Sequence, residues 1–485
     1  MNDNFKIIKD VFVNSTGNKF YSAEIIFSNK IEEIKRIGNS EYDWSELKDT
    51  STKNRIVNSL ENLSSNHNNK ISGNWNIIIP GGIDPHVHFD TPGFEFRDDF
   101  EHGTTAAAFG GVTTIIDMPC TSIPSVTSKE NFEIKLEAVK NRSLIDFAFW
   151  GGIRRNDFEE FRDIEKQVKE LDQLGVAGFK TYLISGMQTF KDLKLEQMRQ
   201  VANYIKHTGK PQSVHAEDKF LVESRRLEFQ SNNRNEWRHY CLTRDAIAEE
   251  KAIKDMIEIA RISGHKIHIV HLSSELGLKA IKEAQNDGVN ITSETCPHYL
   301  HFTQDDFEND VIRNYLKTAP PVKKKNDQNA LWQGIADETL SFVTTDHAGC
   351  NPDDEKVEDN FWKVYGGIPG VEHRVPYMFS EGFKKGRLSF DKTIKLLSTN
   401  VAEYFNLRNK GKIEKGYDAD FALLNLWKSE KVNSTNMHSK GKYTPFHGVE
   451  FDAVVEKTLV RGKVVMDRNG EAEENIGYGK FIKVS

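Results

Sequence analysis

Six residues able to bind metal or move protons stand at the ends of segments that read as β-strands. They are His86 and His88 in PHVHFD, Lys180 in GFK, His215 in VHAED, His271 in HIVHLSS and Asp346 in TTDHAG. Residues i and i+2 of a strand face the same way, so both imidazoles of HVH can reach one cation. Two more strand-end histidines and a strand-end aspartate complete a nitrogen and oxygen donor set suited to Zn²⁺ or a similar divalent metal. One histidine alone would carry little weight, because most are satisfied interior or surface groups. Lys180 is the odd member, since an ammonium has no lone pair and repels a cation. In a dry site its pKa falls, and as a free amine it can take up CO₂ to become a carbamate, a carboxylate-like bridge between two metals.

Residues this far apart in sequence meet only if the fold gathers strand ends at one place. From residue 77 to about 414, β-rich segments (GVTTIIDMP, LIDFAFWGG, VAGFKTYLI, QSVHAED, KIHIVHLSS, NITSETCP, LSFVTTDHA) alternate with helical ones. That alternation predicts an α/β fold of parallel strands with crossover helices. His86 to Asp346 spans 260 residues, close to the ~250 of an eight-fold (β/α) barrel, whose strand C-termini share one mouth. A doubly wound sheet is the alternative, but no GxGxxG loop follows an early strand. Residues 1–76 hold β-prone bursts followed by a polar stretch, about 40–76, expected to be an extended surface insertion containing at most a short helix. Residues 415–485 return to short strands (GYDADFALLNLW, VVEKTLVRGKVVMD), and the simplest arrangement pairs both termini into one satellite sheet.

Composition removes several classes. The 485 residues carry 65 Lys+Arg against 72 Asp+Glu, a net −7, so no basic field exists to hold a nucleic acid or an anionic membrane. No apolar run approaches the ~18–20 residues of a membrane span, and MNDNFKIIKD lacks a secretory apolar core. A cytoplasmic protein is expected. Cys120, Cys241, Cys296 and Cys350 form no CxxC pair and are read as reduced, mostly buried thiols.

With these motifs in place, residues ~77–470 resemble the cyclic amidohydrolase branch of the amidohydrolase superfamily, which includes allantoinases, hydantoinases, dihydropyrimidinases and dihydroorotases. The resemblance implies a TIM-like (β/α)₈ barrel, a small β-sandwich built from both termini, a binuclear metal centre and a homo-oligomer, commonly a tetramer. It implies that His86, His88 and Asp346 hold one divalent ion, His215 and His271 the other, and carboxylated Lys180 bridges them, with Zn²⁺ the leading metal. It selects His271 over His268, left structural, because the family motif is His, a small apolar residue and Ser-Ser; His347 receives no ligand role. The implied chemistry is attack of a metal-activated water on a ring carbonyl, Asp346 taking its proton and delivering it to the ring nitrogen.

Substrate is read from the loops. Dihydroorotases of this kind place an Arg two residues beyond HxH and an Asn after Met-Pro; here stand Asp90 and Cys120, so the carboxylate clamp is missing unless Arg97 or Arg374 replaces it. DMPCTSIPSVT and SETCPHYL resemble allantoinases, whereas GGIPGVEHRVPYMFSEG and DDFEHGTTAAAFGG resemble hydantoinases and dihydropyrimidinases. Those enzymes carry a Tyr five residues past the bridging lysine, where this chain has Ser185, with Tyr182 nearby. The expected partner is therefore a small cyclic amide or ureide, allantoinase-like first. Ser293, His298 and Gly367 are the expected substrate contacts, and Arg244 and Glu249 are read as structural ion-pairing residues. A mononuclear deaminase shares HxH and a final Asp but lacks the lysine; non-catalytic scaffold relatives have lost ligands that this chain keeps.

Overall fold

The computed structural model describes residues 5–61, 70–468, 470 and 476–485. The chain opens with β1 (Lys6–Thr16), β2 (Lys19–Phe27), β3 (Ile31–Arg36) and β4 (Tyr42–Asp43), two helices (Trp44–Leu47 and Thr50–Leu60) and β5 (Lys70–Pro80). The next ten strands are β6 (Gly82–His88), β7 (Val112–Asp117), β8 (Asp146–Phe149), β9 (Gly151–Gly152), β10 (Phe179–Tyr182), β11 (Gln212–His215), β12 (Ile267–Ile269), β13 (Ile291–Thr295), β14 (Phe342–Val343) and β15 (His347–Ala348). They make an eight-position ring, because two positions are strands broken in the middle. The first break, at Trp150, lets β8 pair with β7 and β9 with β10; the second, at 344–346, lets β14 pair with β13 and β15 with β6. All pairings in the ring are parallel, the closed α/β barrel expected from the alternation of elements.

Local sequence explains these elements. VTTIID of β7 is buried at every position, the continuous run of a strand covered on both faces. The helix Ile164–Leu174 buries Ile164, Gln167, Val168 and Leu171, starts where Asp163 accepts from the Lys166 amide, and stops at Gly175 with φ 88°, a left-handed cap that glycine adopts without strain. The helix Ala246–Ser263 follows the same rules, with Asp245 at its start and Gly264 at its end.

After the barrel come β16 (Phe421–Asn425), β17 (Glu430–Lys431), β18 (Glu450–Phe451), β19 (Val454–Val460) and β20 (Lys463–Asp467). The two ends of the chain meet in one continuous sheet, ordered β20-β19-β16-β5-β1-β2-β3 with β4 on β2. Period-2 alternation sends Ile77 and Ile79 into the main core and Ile78 into the sheet's own cluster. Lys410, buried, ties barrel to sheet through Asp146 (2.7 Å), Asp420 (2.6 Å) and Asp418 (3.0 Å). The C-terminal segment returns to the barrel, where the Ile482 amide donates to Phe147 and the Val484 amide to Gly175.

Two boundaries differ from expectation. IIIPGGID is two strands: Ile77–Pro80 completes β5 of the satellite sheet, and the barrel begins at Gly82. Gly81 makes the junction, since a Cβ there would stand 2.1 Å from Thr113 Oγ1. The polar 40–76 stretch is no extended insertion where it is described. Asp43 and Asp49 cap its two helices, and residues 70–76 belong to β5; residues 62–69 lie outside the described part.

Candidate active site

The barrel mouth encloses a cavity of ≈ 440 Å³ lined by, among others, His86, His88, His215, His271, Asp346 and Gly367. His86 and His88 enter from the end of β6. Asp346 comes from the second strand break, where its backbone sits at φ 49°, and His271 follows β12 at φ 42°. Such left-handed values are strained for non-glycine residues by about 1–3 kcal/mol and cluster at functional sites. Both residues leave the strand direction at this point.

One oxygen of Asp346, Oδ1, lies 3.1 Å from His86 Nε2 and 3.2 Å from His88 Nε2. Ligand atoms of these three residues all fall within 4.8 Å of one another, close enough to share a single ion. The His215 and His271 rings lie beside them, 4.6 Å apart between centroids, with His271 5.6 Å from His86. Lys180 is wholly buried and its Nζ makes no hydrogen bond, nor does Nδ1 of His271. An unpaired ammonium and an unpaired imidazole nitrogen would each be costly in so dry a place, so both atoms fit groups that meet something further. Burial draws Lys180 down to about 8, against the pull of Cys120, Asp346 and Glu294. Burial and the neighbouring His215 keep His271 neutral, its pKa well below the ordinary histidine value, which leaves a nitrogen lone pair for a cation. Burial opposes ionisation of Asp346, but His86, His88 and His271 hold its carboxyl well below the usual range.

Second partners fix the rings. Glu294 takes His86 Nδ1 at 2.5 Å and His268 Nε2 at 3.1 Å, which turns His86 Nε2 toward the mouth and gives His268 the structural place expected for it. Glu217 accepts from His215 Nε2 at 2.8 Å and also pairs with Arg244, leaving Nδ1 of His215 for the mouth. His347 points elsewhere: the Val371 amide donates to its Nδ1 (3.2 Å), so Nε2 carries the proton toward Asp98 (3.0 Å). Glu294 and Glu217 were missed in the sequence, although Glu217 stands two residues past His215 and Glu294 just before TCP.

The expected substrate contacts divide. Gly367 lines the cavity, but Ser293 and His298 do not. Ser293 lies within β13 and spends its carbonyl on the Ser341 amide, while His298 is buried in the short helix Pro297–His301, 4.1 Å from the Tyr299 ring. Arg244 pairs with Glu217 and lines the cavity, while Glu249 accepts from Ser273 N and Oγ. Tyr182 stacks 5.5 Å from His215, and its hydroxyl meets Cys120 Sγ at 3.1 Å, itself 3.7 Å from His88 Nδ1. Of the two arginines considered for a carboxylate, Arg374 is fully buried against the carbonyls of Val343, Ile83 and Leu397, whereas Arg97 lines the cavity.

Residues 77–465 match the model of the Amidohydrolase family. An allantoinase of Bacillus licheniformis is 34% identical over 425 residues, covering 85% of this chain and 90% of the relative. An allantoinase of Rubrobacter xylanophilus is 35% identical over 414 residues, covering 84% and 87%. Among solved structures, an L-hydantoinase (dihydropyrimidinase) from Arthrobacter aurescens superposes with TM-score 0.86 at 26% identity over 99% of this chain and 100% of that one. A dihydropyrimidinase from Brevibacillus agri gives 0.85 at 25% identity, with 99% of each chain covered.

Proposed function

The chain belongs to the amidohydrolase family, it is a hydrolase of cyclic amide C–N bonds, and from that premise we propose that its substrate is allantoin or a closely related five-membered cyclic ureide. The observation that carries the reading is the gathering of His86, His88 and Asp346 around one carboxylate oxygen, beside His215, His271 and an unpaired buried Lys180, at the base of a cavity of ≈ 440 Å³. The allantoinase relatives, similar over most of their length, support this ring over the unsubstituted hydantoin or dihydrouracil.

The donors fit two divalent ions, Zn²⁺ first. His86, His88 and Asp346 would hold one, His215 and His271 the other. Lys180, as free amine, would form a bond from Nζ to the carbon of CO₂, losing a proton to give an N6-carboxylysine shared by both. When bound, such ions supply a water of lowered pKa and positive charge for the carbonyl oxygen. The chain's own residues do the rest. Asp346, ionised and partly open to the cavity, takes the proton of the attacking water and returns it to the ring nitrogen as the C–N bond breaks. Glu294 and Glu217 hold the imidazoles in one tautomer and one orientation, and the buried walls keep bulk water from competing for the proton.

The test is a panel of allantoin, hydantoin, dihydrouracil and dihydroorotate with the wild-type holoenzyme and its Asp346→Asn variant. Allantoin should give the highest kcat/KM, and the variant should retain its fold while kcat falls at least ~10²-fold, the lower end for loss of a general base. Preference for another ring would reject the substrate, and undiminished turnover by the variant would reject the role of Asp346.

A further inference from the structure

Arg97 lies in the loop between β6 and the helix Phe100–Phe109 and lines the cavity, alongside Phe94, Tyr365 and Gly367. Its guanidinium is fixed from several sides. It stands 4.5 Å over the Tyr365 ring and 5.1 Å from that of Phe96. Nε and Nη2 both donate to Oε1 of Glu355, at 2.8 and 2.6 Å. Glu355 is held in turn, because its other oxygen accepts from the Asn351 amide. The remaining amino group of Arg97, Nη1, has no protein partner among the described residues, and the side chain keeps 26% exposure. The Tyr365 wall is rigid as well: buried Lys356 donates to the carbonyls of Asn314, Tyr365 and Gly367 at 2.8–3.1 Å, and Lys317 does the same for Phe361, Trp362 and Val364.

We propose that Arg97 is a specificity residue that donates through Nη1 to a neutral carbonyl on the substituent of the ring, so that the site selects a ureido-bearing ring over an unsubstituted or carboxylate-bearing one. The inference rests on the cyclic-ureide reading and names the group that recognises the exocyclic arm. Charge decides which acceptor is suited. Arg97 is already neutralised by Glu355, so a second carboxylate would gain little attraction here. A neutral carbonyl needs only a fixed donor. Pre-organisation makes that donor effective, since stacking and the ion pair have already restricted the long side chain before substrate arrives.

The experiment compares kcat/KM for allantoin and hydantoin in the wild-type holoenzyme, in Arg97→Met, and in Arg97→Met/Glu355→Gln, which leaves no unpaired carboxylate behind. One hydrogen bond from a charged donor corresponds to roughly 10–100-fold in binding, so the allantoin-to-hydantoin ratio should fall at least ~10-fold in both variants. Arg97→Lys should recover part of that ratio. A ratio unchanged in both variants, with the two rings losing activity together, would reduce Arg97 to a structural role and leave the substrate assignment standing. A wild-type enzyme that opens hydantoin but not allantoin would overturn both. Thermal melts of each variant show whether fold loss contributes.

Discussion

Lys180 is the residue at which physical chemistry and sequence type conflict most: a cation placed among the proposed metal ligands, fully buried and without a hydrogen bond. The proposed carbamate would resolve the conflict by exchanging a positive for a negative charge. The expected consequence is that Lys180→Ala loses metal and activity together, and that added short-chain carboxylic acids restore both by occupying the space of the missing carbamate. Metal analysis per chain, before and after the additive, checks this; two ions retained tightly without the additive would contradict the bridge. Residue types and strand-end positions marked His86, His88, His215, His271 and Asp346 as one set, and the fold brings them together at the barrel mouth. Glu294 and Glu217 were not legible, since a carboxylate one or two residues from a motif is ordinary until its partner across the barrel is known. Ser293 and His298, expected as substrate contacts, do not line the cavity, because motif position does not say on which side of the strand end a side chain is sealed; Ser293 Oγ and His298 Nε2 are buried without a hydrogen bond.

At the scale of elements, the two broken strands close the ring and the second break delivers Asp346, the proposed proton acceptor. Asp346 stands between β14 and β15, where the chain turns through positive φ. The segment leading to it is anchored from below: Thr345 Oγ1 donates to Asp84 at 2.7 Å, and Arg374 stands 3.6 Å from the same carboxylate while bonding three strand and helix carbonyls. Arg374 and Asp84 are both fully buried, so removing one partner leaves a charge uncompensated. Arg374→Met should therefore cost about 3–5 kcal/mol of stability, and Asp84→Asn added to it should recover part of the loss. Urea midpoints measure both, and a midpoint like that of the wild type would mean the pair is not a structural anchor. Element types were readable from periodicity and caps. The division of IIIPGGID between two sheets was not, because a buried run looks the same on either side of Gly81.

For the whole molecule, acid sensitivity follows from buried histidines. His265, His298 and His373 are all brought down to about 4, burial being the leading cause in each, against ~6.5 in the unfolded chain. Between those values the unfolded state binds more protons, so stability is fully present above about pH 6.5 and is lost as pH falls toward 4, by up to about 1.4 kcal/mol per pH unit for each group. Denaturation at pH 7.5 to 4.5 should show this decline, and His265→Gln should make it shallower; an equal slope in the variant would remove His265 from the account. Among the described residues no helix is long and apolar enough to cross a membrane. By itself the sequence determined the alternation of strand and helix, the barrel it implies, the satellite sheet of the two termini and the residues equipped for hydrolytic chemistry, because these follow from local periodicity and side-chain type. Only the tertiary structure decided which nitrogen of each imidazole faces the mouth, that Arg244 serves Glu217, that Arg374 is sealed inside and that Arg97 reaches the cavity, because each depends on partners brought from distant strands.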